Sequence, residues 1–227
     1  MLMSAATTVI CCPALEKTAL DELVRRVSSW IGPCQIWHPE DVGSMQHNSE
    51  RLAALAKTAG PVRWVGSGLG AALGYWLSCR REGAIRQAEL FEPFLGFNAP
   101  FFNSTRSGKR AWGGFALNLS RHEWGAMLGF LLPPLSLSAP RKQDVLPCNS
   151  WKQLASYTDS LDFVQLSVHY AEGTRVWLNR DDRDLQADRA ANHIRAMSPH
   201  ALVEIDQWRT GSFPDLLVET MGAKGWV

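Results

Sequence analysis

Apolar residues along this chain follow two alternating rhythms. Short runs rich in β-branched residues and bounded by Pro or Gly predict strands. Longer stretches with apolar residues three or four apart predict helices. Thr7–Cys12 (TTVICC) stops before Pro13 and predicts a first buried strand. Leu15–Trp30 carries Leu15, Ala19, Leu23, Val27 and Trp30 at helical spacing and stops ahead of Gly32-Pro33. Cys34–Trp37 predicts a second strand. Ser49–Thr58 predicts a helix, with Ser49 as its N-cap and Gly60-Pro61 as its stop. Val62–Gly66 is a third strand, Leu69–Arg80 a helix rich in Ala and Leu, and Ala84–Phe91 ends in a fourth strand.

The rhythm resumes late. Arg175–Asn179 predicts a strand, and Leu185–Met197 a helix with Asp184 as its N-cap. Leu202–Asp206 is a further strand, and Pro214–Met221 opens a last helix with Pro at its first position. Strands alternating with helices predict an α/β fold, a mostly parallel sheet of about six strands with helices on both faces. The continuous apolar strands agree, because strands of a parallel sheet are buried on both sides. Residues 96–160 break the rhythm with Asn, Ser, Gly and Pro clusters (NAPFFNSTRSGKR, LLPPLSLSAP) and only weak helical stretches. They read as an insertion into one domain spanning residues 1–227. Ligands of open α/β sheets bind at the carboxyl ends of the strands. An insertion leaving such an end is placed to act as a lid or docking surface.

Composition narrows the picture. The 227 residues hold 23 Lys+Arg against 22 Asp+Glu. That balance argues against a polybasic nucleic-acid binder. No apolar run approaches the roughly 18 residues of a membrane span. The apolar N-terminus has no basic segment ahead of it, so a secretory signal is not expected. Five scattered cysteines, Cys11, Cys12, Cys34, Cys79 and Cys148, show no metal-type spacing. They suit reduced thiols in a cytoplasmic protein. Ten tryptophans are expected chiefly in the core and in pocket walls.

The sharpest local feature is VRWVGSGLGAAL at 62–73, a strand running straight into a helix through Gly66, Gly68 and Gly70. A dinucleotide fingerprint needs G-x-G-x-x-G after a first strand, and this is the third. A P-loop needs a Lys that is missing. No cofactor is expected on either ground. The remaining explanation is a nucleophile elbow, small-x-nucleophile-x-small between a strand and a helix. Gly66-Ser67-Gly68-Leu69-Gly70-Ala71 lies on that pattern with Gly68 at the nucleophile position.

Here the chain resembles the α/β-hydrolase fold superfamily, and the resemblance runs over nearly its whole length. Val9–Leu15 resembles the family's first core strand and oxyanion loop. His38–Ser44 (HPEDVGS) is similar to a loop that usually reads Asp-x-Pro-Gly-His-Gly-x-Ser. Leu90–Pro93 resembles the strand end after the elbow helix, with Glu92 on it. Arg175–Asp184 resembles the penultimate strand and acidic loop, which puts Asp182 at the triad-acid position. Val203–Leu216 resembles the last strand and histidine loop. The family's early antiparallel strands have no counterpart before Thr7.

The resemblance departs where the chemistry lies. Thr210-Gly211-Ser212-Phe213-Pro214 puts Ser212 at the general-base position, and Cys12-Pro13-Ala14-Leu15 replaces the usual His-Gly of the oxyanion loop. Acyl transfer needs a nucleophile, a base in hydrogen-bond reach and donors for the oxyanion. Gly68 offers no nucleophile, and a serine is far too weak a base near neutral pH. Asp182 then has no imidazole to orient, and its other reading is a surface ion pair with Arg180 or Arg183. Cys12 reads either as a thiol of the altered loop or as a buried cysteine. Ser67 occupies the x position, so its side chain is expected to point away from the apex. Using it as nucleophile would require Val65 and Leu69 at the crowded small positions.

Sheet geometry sorts the histidines in the same spirit. His200 precedes the last strand at its amino end, His193 lies in an outer helix, and His169 approaches a strand. His47 falls in the loop before a helix. His38 follows a strand at its carboxyl end, and His122 lies in the insertion. The expected function is therefore that of a pseudo-hydrolase, a small-molecule or protein-interaction module. Its pocket would be lined by Ala14, Leu15 and Leu69 from the core and by Trp112 and Trp124 from the insertion. A small acyl or aromatic ligand, or a protein partner on the insertion, is the expected occupant. The alternative is a weak serine esterase or thioesterase using Ser67 or a non-standard base.

Overall fold

The computed structural model describes residues 6–12, 17–37, 45–67, 69–80, 83–91, 173–180 and 187–206. Their elements, in chain order, are β1 (Thr8–Cys11), α1 (Lys17–Ile31), β2 (Cys34–Ile36), α2 (Met45–Ala59) and β3 (Val62–Ser67). Then come α3 (Leu69–Arg80), β4 (Ile85–Phe91), β5 (Thr174–Asn179), α4 (Ala187–Met197) and β6 (Leu202–Asp206). The expected insertion at 96–160 and the expected helix Pro214–Met221 lie outside the described residues, as does Asp184.

The six strands form one sheet in the order β2-β1-β3-β4-β5-β6. Every neighbouring pair is parallel. The expected α/β architecture, a mostly parallel sheet of about six strands with helices, is what the chain adopts. The predicted strands match the observed ones to within one or two residues, because each is a short run rich in apolar and β-branched residues near a Gly or Pro.

Helix α2 is the exception. It begins at Met45, so Ser49 sits inside the helix and is buried there instead of capping it. His47 likewise belongs to the first turn of α2 and not to a preceding loop. The first turn, MQHN, is polar and carries no apolar rhythm, so pattern alone misses it. Tertiary contact accounts for the difference: Trp37 Nε1 donates to Asn48 Oδ1 at 2.8 Å, both side chains being fully buried. At its other end α2 stops as expected, at Gly60, whose φ of 79° is a conformation open to glycine.

Two indoles organise one face of the sheet. Trp64 of β3 and Trp37 are both completely buried, with ring centroids 5.4 Å apart and tilted by 56°. The Arg51 guanidinium of α2 lies 4.1 Å over the Trp37 ring, a cation–π contact. Trp64 Nε1 donates to the Gly70 carbonyl at 3.0 Å, which satisfies the one polar atom of the buried ring. Helix α3 (LGAALGYWLSCR) is apolar nearly all round, as befits a helix buried in the middle of a domain. Ala71, Leu73, Tyr75 and Leu77 are fully buried. Gly74 is the groove that admits the indole, since a Cβ there would come within 2.2 Å of Trp64 Nε1.

Replacing Gly74 tests that fit. Gly74→Ala is expected to lower the unfolding free energy by about 1–3 kcal/mol through overpacking against Trp64. Equilibrium urea unfolding followed by tryptophan fluorescence measures it. Gly74→Ala combined with Trp64→Phe, which removes the atoms that clash, should lose less than the sum of the two single changes.

Candidate functional site

Strand order determines where the crevice of this sheet lies. The chain runs from β1 out to the edge at β2, then returns past β1 to β3. Helices α1 and α3 therefore leave neighbouring strands toward opposite faces. The side chains show this: Thr8 Oγ1 donates to the Ile31 carbonyl at the end of α1 at 3.4 Å, whereas Trp64 reaches Gly70 of α3. Thr8 pairs with Arg63 and Val9 with Trp64, so Thr8 and Trp64 face opposite ways. The carboxyl ends of β1 and β3 thus border the switch point, where open α/β sheets bind ligands. Cys12, Ser67 and the first turn of α3 converge there.

The turn itself is very tight. A Cβ on Gly66 would lie 2.5 Å from the carbonyl carbon and oxygen of Gly70 and 2.6 Å from the Ala71 nitrogen. The obstructing atoms are backbone, so no rotamer change relieves the clash. Strand and helix backbones touch at Gly66 and Gly70.

Ser67 ends β3 and is 2% exposed. Its hydroxyl and its amide both hydrogen-bond the Cys12 sulfur. The register Cys11↔Gly66 carries these two residues side by side. Burial pushes the Cys12 thiol up to about 12, and the two hydrogen bonds from Ser67 only partly oppose that. At neutral pH Cys12 is a neutral thiol with no nucleophilic character. Of the two roles open to Cys12, the buried cysteine is the one it takes. Ser67 is therefore buried at the end of β3, beside the residue that follows β1.

The histidines within the described residues stand apart from this pair. His47 lies in the first turn of α2, the helix that crosses over from β2 to β3. His193 is on α4, where burial lowers its pKa, and His200 precedes the amino end of β6. No three His, Cys, Asp or Glu side chains gather as metal ligands among the described residues. No described helix is long and apolar enough to cross a membrane.

Leu69 is the first residue of α3. Gly68, Ala14, Leu15, Trp112, Trp124, Asp182 and Ser212 lie outside the described residues, as do Glu92, His38, His122 and His169. A second polar cluster, unanticipated from the chain, lies across β4 and β5. Glu89 is 1% exposed, accepts a hydrogen bond from Trp177 Nε1 and lies 3.7 Å from Arg175 Nη1. Its signal was present as a lone carboxylate in the apolar second half of the strand, Ala88–Phe91.

Comparison with solved structures agrees with this geometry. A lipase-esterase related protein from Clostridium acetobutylicum superposes with a TM-score of 0.64 at 12% identity, covering 97% of this chain and 94% of its own. A hydrolase from Pseudomonas aeruginosa gives 0.61 at 13% identity, over 96% and 89% of the two chains. MGS-M2, an α/β hydrolase enzyme from a Medee basin deep-sea metagenome library, gives 0.61 at 11% identity, over 100% and 92%. The chain therefore has the α/β-hydrolase fold. No family model and no curated protein matches its sequence.

The buried thiol has a measurable consequence for stability against pH. Its folded pKa is raised, so its contribution is intact below the unfolded value near 9.0 and is lost as pH rises toward about 12. Cys34, half-buried and raised to about 11, adds to the same trend. Unfolding free energy is expected to fall between pH 9 and 11, and to fall less steeply in Cys12→Ala. Denaturant titrations at stepped pH give both slopes. An equal slope in the variant would show that Cys12 does not ionise on unfolding.

Proposed function

We propose that this α/β-hydrolase-fold protein has lost the hydrolytic triad and works as a binding module, a pseudo-hydrolase. One observation carries the reading, the backbone contact between Gly66 and Gly70. An elbow needs small residues where strand and helix touch, two positions before and two after the nucleophile. With Gly66 and Gly70 in those roles, the nucleophile position falls on Gly68, which has no side chain to react. Ser212 at the base position and Asp182 at the acid position complete a triad lacking both its nucleophile and its imidazole.

The rival reading, a weak serine esterase or thioesterase built on Ser67, has the structural neighbours named as esterases and hydrolases on its side. Against it stand the burial of Ser67 and the commitment of its hydroxyl to the Cys12 sulfur. A nucleophilic serine needs a base at that hydroxyl, and a protonated thiol is not one.

In this proposal residues 1–227 form one domain and residues 96–160 are its lid or docking surface. Ala14, Leu15, Leu69, Trp112 and Trp124 line the binding site. The occupant is a small acyl or aromatic ligand, or a protein partner on the insertion. A cytoplasmic setting is consistent with Cys11, Cys12 and Cys34, among the described residues, standing outside any disulfide.

The purified protein is expected to resist labelling by a fluorophosphonate and to leave short and medium p-nitrophenyl esters unhydrolysed. Stoichiometric labelling that vanishes in Ser67→Ala would overturn the proposal in favour of the esterase. In its absence, Ser67→Ala should only destabilise, by about 0.5–1.5 kcal/mol for the lost hydrogen bond. Gly68→Ser combined with Ser212→His should raise ester hydrolysis by on the order of 10²-fold, the low end of what a positioned base supplies. An inert double variant that retains its fold would contradict the alignment of the elbow.

A further inference from the structure

The strands β4 and β5 pair although residues 92–173 separate them in the chain. Nothing local sets their register, since a connection of that length constrains alignment far less than a tight turn does. Hydrophobic alternation does not set it either. From Ala88 onward β4 is buried at every position, and so is β5 apart from Arg175. In a half-solvated strand a slip of one residue would expose the core face, but a strand buried on both sides carries no such penalty. Burial alone therefore does not single out one alignment of this pair.

One set of side chains discriminates among them. Register partners in a sheet share a face, and Glu89 pairs with Arg175 while Phe91 pairs with Trp177. One Glu89 oxygen faces Arg175 Nη1 at 3.7 Å, and the other accepts from Trp177 Nε1. The Trp177 ring stacks on Phe91 with centroids 6.0 Å apart and planes within 9°. Arg175 also lies 5.7 Å from the Trp177 ring centroid.

A slip of one residue would turn Arg175 to the opposite face and set Thr174 or Val176 beside the buried carboxylate. A slip of two in one direction would put Gly173 opposite Glu89. In the other direction it would put Asn179 opposite Phe91, ending the ring stack. Among these alignments only the observed one keeps both Arg175 and Trp177 on the carboxylate and preserves the ring stack. A buried carboxylate that loses these two contacts is costly.

We propose that the Glu89–Arg175–Trp177 cluster is a register lock. It specifies how the second half of the sheet joins the first across residues 92–173, and it contributes specificity in preference to stability. A purely stabilising role makes a different prediction, because well-packed apolar substitutes for buried ion pairs are often neutral or stabilising.

The test uses the full chain with Glu89→Leu, Glu89→Gln and the pair Glu89→Leu with Arg175→Met. Two-dimensional NMR with cross-strand nuclear Overhauser contacts reads the alignment directly. Glu89→Gln keeps an acceptor for Trp177 and is expected to show one set of β5 amide resonances, with the native contact between Leu90 and Val176. Glu89→Leu, and the apolar pair, are expected to fold with native helix content yet show multiple sets of β5 resonances, with loss of intensity in that contact. A single set with the native contact in a folded apolar variant would overturn the lock. So would failure of both apolar variants to fold, since the cluster would then be needed for stability itself.

Discussion

Two glycine residues in backbone contact organise this molecule. At Gly66 and Gly70 the end of β3 and the first turn of α3 approach so closely that no Cβ fits between them. That contact lays α3 back along the sheet. It brings the Gly70 carbonyl to the Trp64 indole and sets Gly74 against the same ring. Trp64 in turn packs on Trp37, and Trp37 holds Asn48 and Arg51 of α2. The packing of a whole face therefore descends from one steric requirement at a bend. The same bend stands at the switch point, so the requirement that shapes the core also shapes the crevice.

The described polar groups at this crevice are buried ones. Ser67 gives its hydroxyl to a sulfur, and that sulfur is held neutral by its burial. Such a pair stabilises the join between β1 and β3 and offers no charge to a substrate. A fold that hosts many chemistries does so through residues grafted on its edges, and the fold outlasts them. The solved structures compared with this chain share the fold at only 11–13% identity.

The two halves of the sheet are held by different physics. Between β1 and β3 the joining elements are indoles, glycines and helix packing. Between β4 and β5 a buried carboxylate, a guanidinium and two stacked rings stand on the face of the sheet opposite Trp64. The edge strand β6 is less enclosed, with Leu202 58% exposed. Alignment is most demanding where apolar burial is complete on both faces, and that is where a charged cluster is found.

Much of this was legible in the chain. Short runs rich in apolar and β-branched residues predict the strands, because the central strands of a parallel sheet are largely buried on both faces. Leu69–Arg80 is predicted to the residue, because its bounding glycine turn and its Ala and Leu content agree. The tight strand-to-helix turn is plain in Gly66-Ser67-Gly68-Leu69-Gly70, and the structure places the close contact at Gly66 and Gly70. Three features were left to tertiary structure. The first turn of α2 forms because a buried indole claims Asn48, which no local rhythm records. The inertness of Cys12 comes from complete burial beside Ser67, a pairing set by the alignment of β1 with β3. Glu89 reads in the chain as a polar interruption of a strand, and only the return of β5 after residue 173 supplies its partners. Local sterics and periodicity are written in sequence order, whereas burial and long-range pairing exist only once the sheet has closed.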